Sequence, residues 1–279
     1  MKTYFSTNRI LATTVLSVGL MTVFFACKKD NGDDSNSTSN VAATNSAVAA
    51  VSNESAASAG FSDVFEVAYQ GGSGVADQPN NARAAGEPGA YYGYTFDVVP
   101  LSGWPKTVTL TFDGTTAGKD GKTRSGVIVL TLPHAFLVPG TVVTVATDNY
   151  TVNGRKVTGT ETLTNNSTNS AINFNQIIAG SISVDDTTTF TYNSNKTLII
   201  DTDGFKGIGS AKLVYEKTKD SASVTVTDTL VKAWSCAFIG KGKATITRGK
   251  ISGTIDYGAG VCDDSATVVV GNNTKGIHL

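Results

Sequence analysis

From Tyr92 to the end of the chain, apolar residues recur at every second position in short runs broken by turn residues. Val108, Leu110 and Phe112 alternate with Thr107, Thr109 and Thr111, and Ile128, Leu130 and Leu132 alternate with Val127, Val129 and Thr131. A period of two puts one set of side chains on each face of a strand, so this pattern cannot lie down as a helix. Further alternating runs occupy 187–192, 197–201, 211–216, 222–228, 230–238, 243–248, 250–257, 265–270 and 274–278. Asn153-Gly154 divides two of the runs and is a strong hairpin signal, because both residues accept the left-handed backbone a two-residue turn needs. Asn272-Asn273 is placed to turn the last hairpin. Strands follow turns rather than helices, which predicts an all-β, antiparallel domain over 91–279, either a sandwich or a strongly twisted meander.

The first thirty residues have a different pattern. Lys2 and Arg9 precede an uncharged run from Ile10 to Ala26, which is the layout of a secretory signal. The run is slightly short for a spanning helix, which needs about 20 apolar residues. It ends at Phe24-Phe25-Ala26-Cys27, a small residue directly before a cysteine, which resembles the lipobox of bacterial lipoproteins; Phe24 departs from the usual leucine. This divides the chain into a signal peptide (1–26), a tether lipidated on Cys27 (27–43), a helix and linker (44–90) and the β domain. Asp30 to Asn40 contains no apolar residue and reads as flexible. A short helix is expected within 44–69, with Gly60 interrupting it, and the Gly- and Pro-rich stretch 70–90 reads as a loop.

Composition narrows the function classes. The formal net charge is −1, and 16% of residues are charged. No basic stripe is present, so nucleic acid is not expected as a partner. Of three cysteines, Cys27 is assigned to lipid. Cys236 and Cys262 are an even pair in an exported chain and are expected to form a disulfide. On a strand spanning 230–238, Cys236 would share its face with Trp234 and Phe238, the larger apolar groups and so the buried side.

No chemical motif is complete. The loop with Gly118, Gly121-Lys122-Thr123 has Thr116 where a phosphate-binding loop needs its first glycine, and it leads into a strand instead of a helix. The loop from Asp113 to Arg124 therefore reads as a solvated hairpin connection. Two histidines, His134 and His278, cannot make up a zinc site. Asp201-Thr202-Asp203-Gly204 starts like a calcium loop but lacks the later ligands, which makes an Asx turn the default. No cofactor or metal is called for. Trp104, Trp234 and Tyr92 are candidates for stacking on a glycan, although tryptophan and tyrosine in β proteins usually fill cores.

Cys27-Lys28-Lys29-Asp30 followed by Asp33-Asp34 resembles the export signal that sends lipoproteins of the Bacteroidota to the cell surface. The β region resembles a family of uncharacterised surface lipoproteins of that phylum. The resemblance is carried by Gly118 to Gly126, by Asp148 to Gly154 with Lys156 to Thr160, and by Asp256 to Asp264. It implies an all-β fold, anchorage to the outer membrane through lipid on Cys27, and no assigned activity. Asp220-Ser221-Ala222, Asp228-Thr229-Leu230 and Asp264-Ser265-Ala266 look like the short O-glycosylation pattern of the same phylum. The function expected is a non-enzymatic binding or structural module of the envelope, with glycan or another envelope protein as partner. The alternative is a carboxylate-dependent glycan hydrolase.

Overall fold

The computed structural model describes residues 35–75, 91–185, 187–236 and 238–279, with side chains from Val41 onward. The signal peptide, Cys27 and most of the 70–90 linker lie outside the described residues. Strands β1 (Tyr94–Val99), β2 (Lys106–Ala117), β3 (Thr123–Leu132), β4 (Val142–Val152), β5 (Arg155–Asn165), β6 (Ile172–Ser183) and β7 (Thr189–Ile200) come first. They are followed by β8 (Gly204–Tyr215), β9 (Ser221–Ala233), β10 (Lys241–Arg248), β11 (Ile251–Ala259), β12 (Ser265–Val270) and β13 (Asn273–His278). All belong to one 13-stranded sheet in which each strand pairs with the next in the chain. The fold is therefore the antiparallel meander and not the sandwich.

Ahead of the strands runs one helix, α1 (Ser35–Gly72), 38 residues long. It touches β2 to β6 on one side and β10 to β13 on the other, so the sheet curls around it. Ala47, Ala50 and Val51 pack with Val224, Ile246, Ile255 and Val268, while Phe61, Phe65 and Ala68 join Leu110, Ile128, Phe174 and Tyr192. Residues so placed cover more than one face of the helix, as enclosure requires. No helix among the described residues is long and apolar enough to cross a membrane.

The helix is longer than its sequence announces. It starts at Ser35, inside the stretch read as tether, and Gly60 does not interrupt it. Gly60 is instead a point of close approach, where a Cβ would sit 2.7 Å from Ile182 Cδ1. At Gly72 the corresponding distance to Phe136 Cδ2 is 2.5 Å. Small residues let the sheet close down on the helix at these places.

The period-two reading holds in detail: Val108, Leu110, Ile128, Leu130 and Leu132 are fully buried. Asn153-Gly154 makes the β4–β5 turn with φ of 49° and 77°. Two boundaries differ. The runs 222–228 and 230–238 are one strand, β9, ending at Ala233 and accommodated by register shifts against β8 and β10. The last turn is Gly271-Asn272, one residue earlier than expected, since Val270 pairs with Asn273. Gly271 supplies its φ of 55°.

Candidate functional site

From Val41 to Gly72, α1 carries three acids, Glu54, Asp63 and Glu66, and no lysine or arginine. Each acid meets a cation projecting inward from the sheet. Glu54 lies 3.9 Å from Lys196 of β7, and Glu66 is paired with Lys232 of β9 at 2.7 Å. Asp63 has the most partners. Arg124 of β3 grips it with both Nε (2.9 Å) and a terminal nitrogen (2.6 Å). Lys122 Nζ donates at 2.7 Å and Tyr150 Oη at 2.6 Å. Asp120 holds the far side of the guanidinium, and the Tyr92 ring lies 5.1 Å from it. Burial alone would raise the Asp63 pKa, but the Arg124 and Lys122 contacts outweigh burial and hold the carboxyl below its ordinary value. Tyr150 is pushed up, first by burial and then by the Asp63 charge.

The sequence alone does not reveal this site. The β2–β3 connection is not merely solvated, because Lys122 and Arg124 turn inward to Asp63 and Asp120 turns to Arg124. The available signal was the charge asymmetry of the helix, which requires cations wherever it is buried.

A second polar cluster lies at the middle of the sheet. Lys196 donates to Ser58 Oγ and Tyr192 Oη, each at 3.0 Å, and stands in register with Gln176 of β6. Gln176 Nε2 in turn donates to Glu161 Oε2 at 2.9 Å. The other carboxyl oxygen, Glu161 Oε1, has no hydrogen-bond partner. Glu161 is fully enclosed, and burial pushes its pKa to about 8, with Gln176 and Lys196 only partly opposing. The carboxyl is thus neutral at pH 7 in the folded chain and ionised in the unfolded one. Its contribution to stability is full below the ordinary glutamate range and is lost as pH rises from about 4.5 towards 8. Glu161→Gln removes that loss. The variant should match the parent near pH 4 and exceed it increasingly towards pH 7, by roughly 3 kcal/mol. Urea midpoints measured across that range test this, and a parallel pair of curves would refute it.

Along the partly open face of α1 runs a groove of about 510 Å³, bordered by Ser52, Ser55, Ser62, Glu66, Arg155 and Lys232. Its wall includes Asp63 and Lys122. The charged groups here are largely engaged with each other, while the serine hydroxyls offer neutral hydrogen bonding.

The three candidate aromatic residues are not brought together. Tyr92 precedes β1 beside Arg124, Trp104 lies in the β1–β2 connection at the other end of that hairpin, and Trp234 follows β9. Trp234 is 40% exposed, packs edge-on to Phe205 and donates to the Asp201 carbonyl. Cys236 and Cys262 are joined across a Cα separation of 5.6 Å, linking the β9–β10 and β11–β12 connections. Cys236 is buried as expected, but not by strand alternation: β9 ends at Ala233, and a turn bonding Cys236 N to the Ala233 carbonyl sends Trp234 outward. Asp201 Oδ1 accepts from Asp203 N and Gly204 N, which is the Asx turn. Among the described residues no group of three His, Cys, Asp or Glu side chains is placed to hold a metal ion.

Comparison with known proteins finds no matching family model, no similar curated protein and no similar solved structure.

Proposed function

We propose that the chain is a lipid-anchored protein of the outer membrane, exposed at the cell surface, whose β domain is a non-enzymatic binding or structural module. The observation that carries the non-enzymatic part is how the helix carboxylates are disposed. A glycan hydrolase needs two carboxyl groups facing each other across a cleft, about 5–10 Å apart. Here Glu54, Asp63 and Glu66 sit on one helix, and each is turned to its own cation from the sheet. Glu161, whose raised pKa would suit a general acid, is sealed from any substrate at 1% exposure. The groove beside α1 can receive an extended glycan or a segment of an envelope protein through its serines, which supports binding over catalysis.

The anchor rests on Cys27 and its preceding apolar run. Cells fed an alkyne analogue of palmitate should label the parent chain and not Cys27→Ala, and protease added to intact cells should digest the parent. Equal labelling of both chains removes the anchor, and full protection from protease removes the surface placement.

A further inference from the structure

We infer that the corner of the domain formed by the β1–β2 and β3–β4 connections is a membrane-contacting tip that seats its apolar side chains in the interfacial layer of a lipid surface. The two connections lie at the same end of the sheet, because Val99 pairs with Thr107, Lys106 with Leu132, and Thr131 with Thr144. With the strand ends beside them they expose Val99, Leu101, Leu137, Val138 and Val142, each between 42% and 60%. Half-buried Trp104 stands at their base. Clustered exposure of this kind marks an interaction surface, in contrast to apolar residues scattered singly.

The backbone indicates which occupant fits. A lipid surface offers a loop few hydrogen bonds below its headgroups, so a tip that seats at the interface is favoured by few charges and by carbonyls already bonded within the protein. Residues 100–105 and 133–142 contain no Asp, Glu, Lys or Arg. They hold four of the six prolines of the chain, Pro100, Pro105, Pro133 and Pro139, none of which has an N–H to satisfy. The carbonyls of Pro100 and Leu101 accept from Lys106 Nζ at 2.9 and 2.7 Å. Lys106 is itself 1% exposed and lies 5.3 Å from the Trp104 ring centroid. In the second loop the Phe136 carbonyl accepts from Asn165 Nδ2, Ala135 from Val138 N, and Val138 from Thr141 N. Gly140 N donates to the Asn165 carbonyl. A protein partner would instead be met by a polar rim with groups left free to bond across the interface. Tryptophan at the base of the tip matches the usual depth of that residue at a membrane interface. Asp201, Asp203, Asp263 and Asp264 on other connections at this end confine insertion to the β1–β4 corner.

The inference does not depend on the anchor, so its test uses the chain from Lys28 onward, which has neither the apolar run that precedes Cys27 nor any acyl attachment. Vesicles of phosphatidylcholine should sediment this chain, and brominated acyl chains should quench Trp104 in a Trp234→Phe background. Leu101→Asp with Leu137→Asp, at exposed positions, should lower vesicle partitioning by about ten-fold or more. Ile208→Asp, on the outer face of β8, should leave partitioning unchanged. A chain that stays in the supernatant, shows no quenching, or binds equally well with both aspartates overturns the tip. None of these outcomes bears on palmitate labelling at Cys27.

Discussion

Asp63→Ala should lower the unfolding free energy by about 3–5 kcal/mol, the cost of leaving a buried charge without its partner. Arg124, with 1% of its side chain exposed, would keep only Asp120 and the Tyr92 carbonyl as hydrogen-bond partners, and Tyr150 Oη would lose its acceptor. A domain of this kind is stable by only about 5–15 kcal/mol, so a large share of its stability is at stake. The loss concerns pairing rather than charge as such. Replacing Asp63 and Arg124 together by leucine should therefore recover the part that comes from the unpaired guanidinium, while Tyr150 Oη stays without its acceptor. Urea titration of the parent, the single variant and the double variant tests the claim. A single variant whose midpoint stays at the parent value would mean that the network does not fasten α1. In the parent the contribution of Asp63 is present above pH 4 or so and fades as acid protonates it, since its folded pKa lies below the ordinary value of 3.8.

Reduction of Cys236–Cys262 should cost about 3–4 kcal/mol, from the chain entropy restored to a loop with a sequence separation of 26. For a domain of this size the melting temperature should fall by roughly 10 °C. The loss should be felt first where the bond joins the β9–β10 and β11–β12 connections, and Cys236→Ser should reproduce it. Thiols that alkylate in unreduced protein, or a melting curve indifferent to reductant, would contradict this.

The strands were legible because their alternation is local: Val108 to Phe112 and Ile128 to Leu132 need no distant partner to declare a face. The Asn153-Gly154 turn was legible for the same reason. Arg124 was not, because an arginine next to a polar hairpin connection looks solvated until Asp63, 61 residues earlier, is known to lie beneath it. Cys236 was rightly expected to be buried, but on an argument that fails once β9 ends at Ala233. Serines and alanines gave α1 a weak apolar stripe, since a helix enclosed on several sides has little need of one, and its N-terminal extension to Ser35 was hidden for that reason. Trp104 stands beside the β3–β4 connection, a neighbour that its own stretch of sequence does not reveal.

Chain order has a kinetic consequence. Every strand pairs with its immediate successor, so the sheet can grow one hairpin at a time, each step closing only a short loop. The helix cannot follow this schedule. It is made before any strand, yet Ala47, Ala50 and Val51 find their partners only on β9 to β13. The earliest described segment to be synthesised is thus the last to be fully sheltered. A helix rich in serine and alanine, with three acids and few large apolar groups, is suited to that wait, because it exposes little that would aggregate before the final hairpins arrive.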